Sequence, residues 1–263
     1  MSDPLEEVEF LARSVNRIEV LRTLAADAYS RRELGDAVSA SQPTIGRVLN
    51  DLRDRNWVAY DGERYAATAT GELVADGITD LRSRLETEAH LRDVIEFLPT
   101  DVIDVDLRAF ADATITTPTG TRPNAPIERM VQLLRETTDA RLLSHSFNRQ
   151  KLDCIHEQTV EGTLTTRGVF TADAIEAVGD DPMLRSKLAA VVAADAADIR
   201  RTTEPIPVAV EVTDARTHLL LRDADGIVRA SMDTADGRVR SWAVELVEEY
   251  WDRATPVTPE DLG

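Results

Sequence analysis

The stretch from Ser30 to Val74 reads SRRELGDAVSASQPTIGRVLNDLRDRNWVAYDGERYAATATGELV, and its pattern predicts the fold of the N-terminal part of the chain. Ser30, followed three residues later by Glu33, forms a capping-box pattern that predicts the start of a short helix. Ser41 predicts the start of the next helix, because proline at position 43 is tolerated in a first turn. Two short helices joined by a tight turn predict a helix-turn-helix.

A wing is predicted directly after the second of these helices. Two short β-prone runs surround Asp61-Gly62, which is a typical hairpin turn. Upstream, apolar residues at helical spacing predict one amphipathic helix from Leu5 to Ala26. Downstream, a similar pattern predicts a long helix from Thr70 to Leu98. That helix is longer than the small domain needs, so we interpret it as a connector, a dimerisation helix, or both.

Polar side chains left outside the predicted core are of the types that contact double-stranded DNA. The predicted DNA-binding residues are Arg31, Arg32, Ser41, Gln42, Thr44, Arg47, Asn50, Arg53 and Arg64. Because the start of the second helix enters the major groove in this motif, we expect Gln42, Thr44 and Arg47 to lie nearest the bases. A solvated helix face is the alternative explanation for the same residues.

The chain is strongly acidic, with a formal net charge of -18. DNA-binding surfaces are normally basic, because phosphates attract cations. Lys151 and Lys187 are the only lysines, and acids are spread over both halves. This composition resembles that of proteins from extreme halophiles, in whose molar salt a Debye length of about 3 Å screens repulsion from DNA. An acidic enzyme is the alternative that composition alone favours.

Length and cysteine content limit the class of protein further. A chain of 263 residues accommodates one small and one medium domain. No apolar run approaches the roughly 20 residues of a membrane span, and the first residues lack the order of a secretory signal. Cys154 is the single cysteine, so no intrachain disulfide can form. We therefore expect a cytoplasmic protein.

The region after Pro99 alternates between β-prone and helical segments, ending in a meander and a final helix. This order predicts an α/β domain with a mixed sheet and helices on both faces. The fold class is therefore α/β (α+β overall), with a winged helix-turn-helix first. The predicted divisions are a DNA-binding domain (1–69), a connector or dimerisation helix (70–98) and an effector domain (99–263).

Both halves resemble known families. Ser30–Val74 is similar to archaeal and bacterial winged helix-turn-helix regulators, in which an S-x-x-T-[IV]-x-R-x-[IL]-x-x-L helix precedes a wing and a T-x-x-G exit. The C-terminal half resembles the effector domain of archaeal regulators related to the methanogen filament and methanogenesis regulators. The segments that carry this second resemblance are LLSHS, TTRGVFTADAIEAV, PVAVEVTDARTHLLLRDADG and SWAVELVEEYWDRATPV. A more distant resemblance is to sugar-responsive archaeal regulators whose effector domain looks like a phospholipase D fold.

The residue pattern does not support an enzyme, a metal site or a cofactor. The phospholipase D signature requires His-x-Lys, and His145-Ser146-Phe147 lacks the lysine. No nucleophile elbow, Walker loop, dinucleotide fingerprint or zinc-protease motif occurs, and the four histidines are scattered.

A small anionic metabolite is the predicted ligand of the C-terminal domain, at the ends of its strands. The candidate ligand-binding residues are Ser144, His145, Ser146, Arg149, Thr166, Arg167 and Thr171. Helix capping and surface ion pairs are the alternative roles for these side chains.

Together these features predict a homodimeric, ligand-modulated transcription regulator that binds specific DNA. Two alternatives stay open at this point. One is a metabolic enzyme with an accessory winged helix, and the other is a protein–protein adaptor that docks partners through it.

Overall fold

The computed structural model of the chain describes residues 3–262. The chain divides into two compact units between Glu88 and Ala89. The division lies inside the predicted connector segment, and the three-part functional division stays a prediction. The outer ends of that division, residues 1 and 263, lie outside the described residues.

The first unit consists of short helices and one hairpin. In chain order its elements are α1 (Pro4–Ala12), α2 (Val15–Ala26), α3 (Arg31–Ala37), α4 (Gln42–Arg53), β1 (Val58–Tyr60), β2 (Tyr65–Ala67) and α5 (Ala69–Leu91), which continues past the division. The Ser30 hydroxyl accepts from the Glu33 amide while the Glu33 carboxylate accepts from the Ser30 amide, so the capping box is present. Ser41 caps α4 as predicted. Val58 pairs with Ala67 across the antiparallel hairpin, which we call the wing (Val58–Ala67).

The prediction of one helix from Leu5 to Ala26 is wrong. The backbone of Ser14 is extended, with φ -151° and ψ 110°, and this conformation separates α1 from α2. Both helices contribute to the same apolar core, with Leu11 buried from α1 and Val20, Leu21 and Leu24 buried from α2.

The long helix is also shorter than predicted, because α5 ends at Leu91 rather than Leu98. The amide of Val94 donates to the carbonyl of Leu91, and a 3₁₀ turn follows at Ile95–Phe97. Leu91, Val94 and Leu98 are all buried in the core of the second unit. These apolar residues have helical spacing, but the 3₁₀ turn buries them without an extension of α5.

Glycine 71 attaches the wing to α5 at close range. A Cβ atom on Gly71 would collide with the carbonyl oxygen of Trp57. The amide of Thr68 donates to that same carbonyl over 2.9 Å. The T-x-x-G exit after the wing therefore has a direct structural reason: only glycine allows this approach of the two backbones.

The second unit is built on one mixed sheet. Its strands are β3 (Thr114–Thr116), β4 (Asp139–Ser144), β5 (Thr165–Thr171), β6 (Ala197–Thr202), β7 (Ala209–Val212), β8 (Thr217–Arg222), β9 (Val228–Thr234) and β10 (Thr255–Pro256). They lie in the order β10-β6-β5-β4-β7-β8-β9-β3. The central pairs β4–β5 and β5–β6 are parallel, whereas the other pairs are antiparallel.

Helices cover both faces of this sheet, which confirms the predicted α/β class. Those of the second unit are α6 (Ala125–Arg135), α7 (Arg149–Val160), α8 (Ala172–Gly179), α9 (Pro182–Val192) and α10 (Gly237–Arg253). One apolar core contains residues of α6 to α9, and the other contains residues of α10. Strand β10 was not predicted; it follows the final helix and pairs with β6.

Candidate functional site

The exposed face of α4 is the first candidate site. Ile45, Val48, Leu49 and Leu52 are buried, as predicted, and this orients the remaining side chains of the helix outward. Gln42, Arg47, Asn50 and Arg53 are exposed, whereas Thr44 is half-buried. The Thr44 hydroxyl lies 2.9 Å from the hydroxyl of Ser41, so both belong to the helix cap.

Two of the predicted DNA-binding residues also join α3 to α4. The guanidinium of Arg31 donates to the carbonyl of Gln42 over 2.6 Å, and the Gln42 amide donates to the carbonyl of Arg31 over 3.3 Å. Glycine at position 46 makes this possible, because a Cβ there would collide with the Arg31 guanidinium. The Gln42 side chain is thus held against α3, and base contact by Gln42 would require it to leave that position.

The arginines of this unit fall into two groups. Several are matched with acids; these are Arg13, Arg17, Arg55, Arg64, Arg82 and Arg84. Others form no ion pair among residues 3–262; within this unit they are Arg22, Arg31, Arg32, Arg47 and Arg53. Four of those five lie on α3 and α4. Cationic side chains without an acid are therefore concentrated where DNA contact is predicted.

The wing arginine is engaged inside the protein. Arg64 donates to the carbonyl of Ala28 over 2.9 Å and pairs with Glu33 at 3.2 Å. Hydrogen bonds from Ser30, assisted by Arg64, hold the pKa of Glu33 below its ordinary value. The DNA contact predicted for Arg64 would have to compete with Glu33.

A groove separates α4 from the wing. It encloses a cavity of about 420 Å³ lined by Asn50, Arg53, Asp54, Asn56, Val58, Ala59, Tyr60 and Thr68. The Arg53 guanidinium lies 6.0 Å from the centre of the Tyr60 ring, which itself stacks on Tyr65 at 4.4 Å. Asn50 and Arg53 therefore face the wing, while Arg47 lies nearer the start of the helix.

The second candidate site is at the carboxyl ends of β4 and β5. Ser144 of β4 is opposite Phe170 of β5 in the parallel register. The Thr171 hydroxyl donates to the carbonyl of His145 over 3.3 Å, and the Ser144 hydroxyl donates to the carbonyl of Ser146 over 2.9 Å. Beside them is a cavity of about 420 Å³, lined by His145, Thr171, Ala172, Asp173, Thr202, Thr203, Glu204, Pro205 and Ile206.

The structure does not bring all of the predicted ligand residues together. Thr166 and Arg167 lie at the start of β5, opposite Ala140 and Arg141, and not at the strand end beside Phe170. The assignment of both to the strand-end site is wrong because β5 runs on to Thr171. Arg167 instead pairs with Glu248 at 3.1 Å and lies over the ring of Trp251.

Arg149 is near the strand end but exposed, and it pairs with Asp181 at 2.9 Å. Its charge is therefore matched within the protein.

Sequence reasoning missed a layer of titratable side chains buried between the sheet and the α6–α7 side. Glu211, His218 and Asp233 are opposite one another on β7, β8 and β9. The amine of Lys151, on the first turn of α7, lies 3.4 Å from Glu211. All four residues are at most 3% exposed. Alternation along β8 places His218 and Arg222 on one face, but sequence alone cannot show what covers that face.

Burial dominates the acid–base behaviour of this layer. It raises the pKa of Glu211 to about 7, against the opposing effect of Lys151. It also lowers the pKa of His218 to about 3, despite the nearby Asp233. Burial raises the pKa of Asp233 as well, but hydrogen bonds from Arg129 and Arg216 outweigh it and keep that pKa low. At neutral pH His218 is therefore uncharged and Asp233 is ionised.

Two family models match the chain, one in each unit. The HVO_A0261 N-terminal domain matches residues 5–90. The middle domain of the methanogenesis regulatory protein FilR1 matches residues 123–253. No curated protein matches the chain significantly. Among the described residues, no helix is long and apolar enough to span a membrane, and no group of His, Cys, Asp or Glu could hold a metal ion.

Solved structures show weaker similarities. TrmBL2, an archaeal chromatin protein whose structure shows a novel mode of DNA binding, is 15% identical, with a TM-score of 0.44 over 97% of this chain and 100% of its own. The phospholipase D family member Nuc from Salmonella typhimurium is 9% identical, with a TM-score of 0.43 over 56% of this chain and 99% of its own. NucT from Helicobacter pylori is 7% identical, with a TM-score of 0.43 over 55% and 98%. These similarities are too low to transfer a function.

Proposed function

We propose that the chain is a DNA-binding transcription regulator of the archaeal winged-helix type. The premise is that its two parts match the HVO_A0261 N-terminal domain and the FilR1 middle domain. The observation that carries the proposal is the concentration of acid-free arginines on α3 and α4. In a chain of net charge -18, arginines left without acids mark a surface suited to an external anion.

Recognition in this proposal depends on few contacts. Arg47 is exposed on the first half of α4, where side chains of a helix-turn-helix reach base edges. Arg31, Arg32 and Arg53 are suited to phosphates, and Asn50 to a base or the backbone. Because the protein surface as a whole repels phosphates, general electrostatic attraction contributes little, and direct base contacts carry a larger share of the affinity.

Fluorescence anisotropy with the chain's own upstream DNA, titrated in molar potassium chloride, tests this function. We expect tighter binding to that DNA than to an unrelated duplex of equal length and composition. Equal binding of the two duplexes, or of neither, would contradict a sequence-specific regulator. A metabolic enzyme or a protein–protein adaptor would produce that result.

Self-association is the second part of the proposal. Helix α5 exposes Leu73, Leu81 and Leu85, which are 72%, 42% and 58% accessible. Exposed leucines on one long helix support pairing with a second copy, and winged-helix regulators commonly bind two half-sites as dimers. Light scattering of the full chain should give twice the monomer mass, and the double change Leu81→Glu, Leu85→Glu should give the monomer. A monomeric parent chain would contradict the dimer.

The third part is control by a small anionic metabolite in the second unit. The cavity beside His145 and Thr171 is at the carboxyl edge of the parallel strands, where α/β sheets commonly bind ligands. The proposed site retains four of the candidate residues, Ser144, His145, Ser146 and Thr171. We also propose that the protein is cytoplasmic. A thermal-shift panel of phosphorylated sugars and organic acids tests it, and no stabilisation by any of them would contradict it.

A further inference from the structure

Arg222 ends β8 on the same edge of the sheet as the ends of β4 and β5. The order β4-β7-β8, with both pairs antiparallel, makes β8 run in the same direction as β4. One guanidinium nitrogen of Arg222 donates to the hydroxyl of Ser146 over 2.6 Å. This bond ties the end of β8 to the loop after β4, inside the proposed ligand site.

The guanidinium of Arg222 lacks an acid although it is half-buried. No carboxylate among residues 3–262 forms an ion pair with it, and its Nε is excluded from solvent without a hydrogen-bond partner. Burial lowers the pKa of Arg222. Several other partly buried arginines of the second unit do have acids; these are Arg129, Arg141, Arg167, Arg200 and Arg216.

The charges around Arg222 do not balance. Lys151 and Arg222 are both cationic side chains near this edge; burial lowers the pKa of Lys151, and the positive charge of Arg222 adds to that effect. Glu211 is the carboxylate that pairs with Lys151. That carboxylate is engaged with Lys151 and forms no ion pair with Arg222. A buried, unmatched charge is costly, and an anion that binds there would remove the cost.

Neighbouring groups at the edge are suited to an anion as well. The Nδ1 of His145 is buried without a partner. The hydroxyls of Ser146 and Thr171 lie in the same loop cluster, and the cavity of about 420 Å³ opens beside His145. A planar guanidinium offers paired N–H donors that match the two oxygens of a carboxylate or phosphate.

We propose that Arg222 is the anchor of an oxyanion-binding site at this edge, with Ser146 and His145 beside it. The ligand it takes carries a carboxylate or a phosphate group. This inference rests on the proposed ligand control and names the residue and the ligand chemistry behind it. Arg149 and Arg167 do not take this role, because both already pair with acids.

The test compares the full chain with Arg222→Gln and Arg222→Lys, using Arg149→Gln as the matched control. Inorganic phosphate and succinate are titrated separately in potassium chloride of constant ionic strength, and binding is followed by calorimetry and thermal denaturation. We expect phosphate or succinate to bind and stabilise both the parent and the control. Arg222→Gln should bind at least ten-fold more weakly, and Arg222→Lys should be intermediate because it keeps the charge without the fork.

The outcomes separate the two ligand sources. Preference for phosphate identifies a phosphorylated ligand, and preference for succinate identifies a carboxylate. Binding of neither anion, or equal binding by Arg222→Gln and the parent, would overturn the inference. If Arg222→Gln fails to fold, Ser146→Ala replaces it, with a weaker but measurable loss of anion binding expected and an unchanged affinity counting against the site. DNA affinity is measured in parallel, so failure here is distinct from failure of the regulator proposal.

Discussion

The two units differ in whether they bury polar and charged side chains. Among the described residues of the first unit, Thr87 is the one polar residue that is buried. The second unit buries Lys151, Glu211, His218 and Asp233 inside its sheet layer. The first unit is therefore held by an apolar core and helix caps, whereas the second also depends on matched internal charges.

This difference indicates what each unit can bind. The arginines on the surface of α3 and α4 are accessible to a large polyanion such as DNA. The charge on Arg222 is half-buried at the end of β8, and the ligand proposed for it is a small anion rather than a duplex. In an acidic protein, arginines without an acid thus indicate where anions bind. In the first unit the proposed anion is DNA, and in the second it is a small molecule.

Removal of Asp233 should have the largest effect on stability. The Asp233 side chain is inaccessible and accepts two hydrogen bonds of 2.9 Å from Arg129, together with a further one from Arg216. Asp233→Ala leaves two partly buried guanidiniums without an acid, so we expect a loss of about 3–5 kcal/mol in the free energy of unfolding. Chemical denaturation of the full chain measures it.

The control is Glu128→Ala, which breaks the exposed pair with Arg122. Exposed pairs contribute about 0–1 kcal/mol, so this variant should stay close to the parent. Equal losses in the free energy of unfolding of the two variants would show that the buried ion pair contributes no more than an exposed one. That result would contradict the difference between the two units.

Arg47→Ala tests the surface half of the contrast. If Arg47 contacts a base, its loss should cost about 1–3 kcal/mol of binding to the specific DNA, roughly 5- to 140-fold in affinity. Anisotropy titrations at constant salt measure the change. Arg13→Ala is the control, because Arg13 is exposed but already pairs with Glu9 at 2.5 Å. Full affinity in Arg47→Ala would remove Arg47 from the set of base-reading residues.

His218→Gln tests the buried half through pH. Burial lowers the pKa of His218 to about 3 in the folded protein, from an ordinary value of 6.5. The folded state therefore binds a proton at His218 less readily than the unfolded state does. The stability contributed by neutral His218 is fully present above pH 6.5 and is lost as the pH falls towards 3. One pH unit below 6.5, the parent should have lost about 1.4 kcal/mol relative to the variant, which cannot take up that proton.

Denaturation of the parent and of His218→Gln at pH 7.5 and pH 5.5 measures this difference. Acids elsewhere titrate in both proteins and cancel in the comparison. A stability difference that does not change between the two pH values would mean that His218 is not held neutral in the folded state.

Local motifs were predictable from sequence, and contacts between distant residues were not. The capping box at Ser30, the cap at Ser41 and the hairpin around Asp61-Gly62 each involve residues a few positions apart, and each is present. The strand order β7-β8-β9 juxtaposes Glu211, His218 and Asp233 from three strands. No periodicity of the chain encodes that juxtaposition, so the buried layer and Arg222 were missed.

Helical spacing misled where a residue inside the pattern adopts an extended or tighter conformation. Ser14 interrupts an apolar repeat that is otherwise continuous from α1 into α2. Thr166 and Arg167 were assigned to a site by nearness in sequence to Phe170, but an extended strand carries them towards its opposite end. A strand advances about 3.3 Å per residue, so a few positions are enough to leave a site.

Ser30→Ala should have the smallest effect, and it tests whether the first unit depends on its caps. The variant loses the hydroxyl that accepts from the Glu33 amide, while the Glu33 carboxylate can still accept from residue 30. We expect a loss of about 1 kcal/mol or less. Hydrogen exchange followed by mass spectrometry should show faster exchange in peptides from α2 to the wing and no change in the sheet of the second unit. Faster exchange throughout both units would contradict separate sources of stability for the two units.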